Sequence, residues 1–221
     1  MKPSLEVIKP LGSDDIEQAL MPKLSDWYEE LRALLPNLPE HLQVYFVDQD
    51  DPLMIPELGI GGYAYSQSIM SLGYLLDFED RETQEISLRG SMYHEGLHMS
   101  QGYTGDSDNR SLLECMVYEG VACVFEREYV GAPQPYAAPV EEQQALFWVR
   151  SIAAVGDTLD RSTYIKWAFY DEESGERWRL YRTGVWLVDR ILKNHDDLDV
   201  LQMANMDAQE ILAVSDIELS S

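Results

Sequence analysis

YHEGLHMSQ (residues 93–101) is the stretch from which the rest of the chain can be read. His94 and His98 are four residues apart, so on a helix both imidazoles project from one face, about one turn apart. The condition is met, because from residue 82 onward the pattern is helical and predicts a helix over 83–101. Two neutral imidazoles so placed can share a tetrahedral zinc ion. Glu95 lies about 100° around the helix from His94. It is therefore better placed to act on a water at the ion than to bind the ion itself. Two ligands and one general base within five residues is the arrangement of a metallopeptidase. The plain counter-reading is a helix that carries His, Glu and His by chance.

A catalytic zinc takes three protein ligands and keeps a fourth position open. After His98 the chain reads MSQGYTGDSDN, with no third His, which excludes the metzincin pattern. His41 and His195 are far off in sequence, and His195 falls at a helix end, where its ordinary role is a C-terminal charge. A carboxylate is the remaining choice. In SLLECMVYEGVACVFERE (111–128), Leu112, Cys115, Met116, Glu119 and Cys123 share one stripe of a helix, apolar but for Glu119. Burying an ionised carboxylate without a partner costs several kcal/mol. A metal cation is a natural partner, so Glu119 is the candidate third ligand. The alternatives are that the stripe faces solvent, or that Glu119 pairs with an Arg such as Arg89. Glu114 and Glu126 are rivals. Glu126, two turns past Glu119, suits instead an acceptor for a ligand imidazole.

Working outward, Asp14 with Glu17 predicts a capped first helix stopped near Pro22, and SDWYEELRALLP (25–36) a second, capped by Ser25. LQVYFVD (42–48) reads as a strand, and GIGGYAYSQSIMSLGYLL (59–76) as one or two strands in a hairpin or sheet edge, after a Pro- and Asp-rich loop at 49–58. Helices follow near 111–130, 140–155, 178–194 and 197–213, with a loop at 102–110. The fold class is α+β: a small mixed sheet in the N-terminal half and a helical C-terminal half. No linker is long or biased enough to mark a boundary, so 1–221 reads as a single domain. Trp148, Trp167, Trp178 and Trp186 suit a core better than a specificity pocket. The acid run DEESGE (171–176) reads as a solvated loop.

The balance of 16 Lys+Arg against 40 Asp+Glu gives a net charge of −24. Such a field repels phosphate backbones and anionic bilayers, so neither nucleic acid nor membrane is expected as a partner. Apolar residues at 45% exclude a mostly disordered chain. The two cysteines, Cys115 and Cys123, are roughly 12 Å apart along one helix at 1.5 Å per residue, too far for a disulfide. Unpaired thiols, no signal sequence and no apolar run long enough to span a bilayer point to a cytoplasmic protein.

The three segments YHEGLHMSQ, SLLECMVYEGVACVFE and LYRTGVWLVDRIL (180–192) together resemble the gluzincin class of zinc peptidases. Within it they resemble a family of predicted zinc-dependent proteases known as a domain of unknown function. Its pattern is HExxH, an E-G-x-A helix about twenty residues on, and a late helix opening with Tyr-x-x-Gly. The resemblance runs from about residue 44 to 216. It implies a zincin-like fold, a Zn2+ cofactor and a peptide or protein substrate. It implies His94, His98 and Glu119 as metal ligands, Glu95 as general base, and Tyr181 as the phenol that donates to the oxyanion. It also implies that an edge strand around Gly61–Tyr65 holds a peptide by backbone pairing. Some gluzincins carry an Asp four residues after the third ligand, where this chain has Cys123. A second reading of the function is a non-catalytic acidic zinc-binding interaction protein on the same scaffold.

Overall fold

A computed structural model describes residues 3–9, 11–105, 110–156 and 160–218. The expected loop at 102–110 lies in part outside them. Contacts divide the chain into two compact units, Met1–Ser107 with Glu126–Pro133, and Asp108–Phe125 with Gln134–Ser221.

The first unit is built on a mixed five-stranded sheet of order β1-β2-β5-β4-β3. Its strands are β1 (Ser4–Lys9), β2 (His41–Phe46), β3 (Met54–Ile55), β4 (Ile60–Ala64) and β5 (Ile69–Tyr74). β1 and β2 are parallel and joined by helix α1 (Asp14–Leu34); β2 and β5 are parallel; β5, β4 and β3 run antiparallel in turn. The 59–76 stretch is thus a hairpin, and β1 is a strand that the sequence reading did not assign. Its alternation leaves Leu5 and Val7 half-buried and their neighbours Ser4, Glu6 and Ile8 exposed.

One helix, α1, replaces the two expected over 14–36, and Pro22 lies inside it. An interior proline removes a backbone hydrogen bond and costs about 3 kcal/mol. Here it faces solvent, while Leu20, Leu24, Tyr28 and Leu31 form one unbroken buried stripe. Each such side chain contributes about 2 kcal/mol on burial, so the stripe outweighs the proline. Helix α2 (Arg81–Gln101) starts at Asp80, whose side chain accepts from the Thr83 N–H at 3.1 Å. It packs on β4 and β5. Gln84 ties it there, donating to the carbonyls of Gly59 and Leu75 at 2.8 Å each. Every residue from Met92 to Met99 is buried, so α2 has no solvent face over its motif.

The second unit is helical. It comprises α3 (Leu112–Tyr129) up to Phe125, α4 (Glu142–Ala153), α5 (Arg161–Ala168), α6 (Arg179–Asn194), α7 (Val200–Met203) and α8 (Ala208–Val214). The last turn of α3 belongs to the first unit. The helix expected over 197–213 is two, because Asp207 forms a second capping box with Glu210 after the one made by Asp199 and Gln202. Helix α5 was not anticipated. α3 and α6 cross backbone to backbone: a methyl group added at Gly184 would overlap the Met116 carbonyl oxygen and come within 2.8 Å of the Gly120 Cα. The two motif glycines of E-G-x-A and Y-x-x-G are therefore one contact. No helix among the described residues is long and apolar enough to cross a membrane.

Candidate metal centre

α2 presents His94, Glu95 and His98 from its buried middle, where they are 7%, 9% and 4% exposed. The two rings stand edge to face, centroids 4.6 Å apart, as one helical turn dictates. On α3, Glu119 is 4% exposed and Glu126 1%. Three buried carboxylates are costly to hold, and burial of charge is what coordination or pairing offsets. Among the described residues, one group of His, Cys, Asp or Glu side chains converges as a potential metal site: His94, His98 and Glu119, with one donor atom from each within 4.8 Å of the others.

The chemistry of this donor set fits zinc. Two imidazoles and one carboxylate are a catalytic zinc set that leaves a fourth position open. Donors on a tetrahedral ion with bonds of 2.0–2.2 Å stand about 3.4 Å apart, within the 4.8 Å that bounds this group.

The neighbours of the cluster are as informative. Glu126 places Oε2 3.3 Å from Nδ1 of His94. A carboxylate on that side favours the tautomer with the proton on Nδ1, leaving the Nε2 lone pair for a cation. Gly90, one turn before His94, makes room for it: a methyl there would overlap Glu126 Oε1 and lie 3.1 Å from its Cδ. Glu95 is anchored differently. Its Oε2 accepts the backbone N–H of Ala64 on β4 at 2.9 Å. Gly62 lets the strand come that near, since a methyl there would sit 2.9 Å from Glu95 Cγ. The Ala64 carbonyl in turn accepts from Gly105 N–H at 2.8 Å. The β4 edge proposed for peptide pairing therefore already uses both Ala64 groups within the fold, and β3 covers Ile60 and Gly61.

The rivals fall away for stated reasons. Glu114 is a cap at the start of α3, accepting from Ser111 N–H at 2.8 Å and from its hydroxyl at 2.9 Å. Arg89 donates to Glu30 at 2.7 Å. His41 bonds Ser4 and Glu6 on an exposed part of the sheet, and His195 closes α6 with Nε2 3.0 Å from the Val214 carbonyl. Tyr181 lies in the first turn of α6, one turn before Gly184, its ring 5.8 Å from that of Tyr136. Cys115 and Cys123 are buried thiols. Trp148 is core, whereas Trp167, Trp178 and Trp186 are half-buried beneath arginines.

Two features escaped the sequence reading. Tyr164 on α5 donates to Glu119 Oε1 at 3.4 Å. The DEESGE run is not wholly a solvated loop, because Asp171 is 4% exposed and pairs with the buried Arg179 at 2.8 Å. Burial pushes its carboxyl up, but bonds from Ser174 and Glu173 and the charges of Arg179 and Lys166 outweigh that and hold it below the ordinary range.

A family model described as a predicted Zn-dependent protease (DUF2268) matches residues 21–213, and the chain belongs to that family. No curated protein and no solved structure matches the chain.

Proposed function

We propose that this member of the predicted Zn-dependent protease family is a gluzincin-type zinc peptidase that hydrolyses peptide bonds of a peptide or protein substrate. The observation that carries the reading is the convergence of His94, His98 and Glu119 next to Glu95 on the same buried helix. His94, His98 and Glu119 would hold the ion. When bound, zinc supplies Lewis-acid polarisation and makes water a nucleophile at neutral pH. Glu95 takes the proton of the attacking water and returns it to the leaving amine. The Ala64 N–H fixes the direction of that carboxylate. Glu126 sets the tautomer of His94. Tyr181 donates to the oxygen on which negative charge develops.

The test is Glu95→Gln. The variant keeps stoichiometric zinc and loses cleavage of a broad peptide library, whereas wild type cleaves and stops on chelation. Cleavage by Glu95→Gln at the wild-type rate removes the base assignment. A wild type that holds zinc and cleaves no peptide is instead the acidic zinc-binding interaction protein.

A further inference from the structure

α5 has eight residues, and Ala168 alone of them is buried. A helix this short is not stable by itself, and apart from Ala168 its largest apolar side chains, Tyr164 and Trp167, are only half-buried. Polar contacts fix both of its ends. At its start, the Asp160 carboxylate accepts the N–H groups of Ser162 and Thr163 at 2.9 and 3.0 Å. It also accepts their hydroxyls, at 2.5 and 2.7 Å. These bonds hold the Asp160 carboxyl well below the ordinary range. At its end, the buried Arg179 donates to the Lys166 carbonyl at 3.3 Å and lies 4.0 Å from the Trp167 ring centre. Such fixing has a purpose if the helix presents something, and what it presents is Tyr164. Its N–H bonds the Asp160 carbonyl at 3.1 Å, its ring stands edge-on to Phe169, and its hydroxyl reaches Glu119.

We infer that Tyr164 is a positioning residue for Glu119, and that α5 is held where it is to aim this phenol at the carboxylate that meets a divalent cation. This rests on the metal-centre reading above. A carboxylate has about four acceptor sites, and one bond to a cation leaves its rotation undetermined. Glu119 is too buried for bulk water to set that rotation. A phenol donor selects one orientation and so favours cation binding. The contact is 3.4 Å, longer than the usual 2.7–2.8 Å for O–H···O, so its effect belongs at the low end of the 10–100-fold seen for partners of metal ligands.

The experiment uses the full chain and Co2+ alone as probe, with affinity from chelator competition and geometry from the visible spectrum of the bound cobalt. Tyr164→Phe keeps the ring and its Phe169 contact. It loses about tenfold in cobalt affinity, shifts the cobalt absorption, and melts as wild type when metal-free. Asp160→Ala, which loosens α5 and leaves the phenol intact, lowers affinity in the same direction and serves if Tyr164→Phe does not fold. Affinity within twofold of wild type in either variant, with an unchanged spectrum, overturns the inference. So does an equal loss in Tyr170→Phe, an exposed phenol nearby. A wild type that takes up no cobalt removes the metal-centre reading, and this inference with it.

Discussion

Gly90→Ala separates the proposed metal centre from the stability of the helix that carries it. The added methyl overlaps Glu126 Oε1, lies 3.1 Å from its Cδ and 2.7 Å from the Ala132 Cβ, where ordinary contacts begin at 3.4 Å. The carboxylate is the flexible end of a side chain, so it swings away, and the 3.3 Å approach to His94 Nδ1 is lost. Losing the partner of a ligand imidazole costs 10–100-fold in metal affinity, about 1.4–2.7 kcal/mol. Stability responds less. Replacing Gly by Ala within a helix gains about 1 kcal/mol, and overpacking costs about 1–3 kcal/mol. The net loss is roughly 0–2 kcal/mol, a shift of a few degrees in Tm for a chain of this size. The assay pairs a chelator-competition zinc titration with a thermal melt of the metal-free protein. Gly90→Ala and Glu126→Gln act through one contact, so their effects on zinc affinity do not add. Unchanged affinity in Gly90→Ala, or strict additivity in the double variant, refutes the coupling of Gly90, Glu126 and His94.

Gly184→Ala behaves in the opposite sense: its methyl meets backbone on α3, which no rotamer relieves. The helix-propensity gain is overwhelmed, and a chemical-denaturation curve shows a loss of about 3 kcal/mol; equal or higher stability excludes the backbone crossing. Pro22→Ala on the exposed side of α1 stabilises by about 2 kcal/mol, after allowance for the looser unfolded chain, as its denaturation midpoint reports. Asp171 has a folded-state value below its unfolded one near 4, so its stabilisation is full above that pH and is lost as pH falls below it. Asp171→Asn therefore flattens the acid limb of the stability curve below about pH 4, and an unchanged limb excludes the pair with Arg179 as its source.

Much of the candidate site was legible because helical periodicity is local. Spacing alone put His94 and His98 on one face and Glu95 beside it, and a lone acid in an apolar stripe singled out Glu119. Gly90, one turn before His94, was not singled out, because nothing local says which side chain fills the space it leaves. Tyr164 was not legible. One tyrosine among thirteen, on a short helix with hardly any buried face, leaves no periodic trace. Pro22 misled for the converse reason: its local cost is certain, and a stripe that continues past it outweighed that cost.

The chain by itself determined the α+β class, the helix that carries the two histidines and the chemistry of the donors, since these follow from residue type and from periods of two and 3.6. Tertiary structure alone decided that the donors converge, that Ala64 N–H holds Glu95 and that Glu126 faces His94. The reason is that convergence depends on how closely backbones approach. Those approaches are set by long-range contacts and not by either element alone: Gly62 lets β4 come close to Glu95, and Gly90 leaves room for Glu126 beside His94.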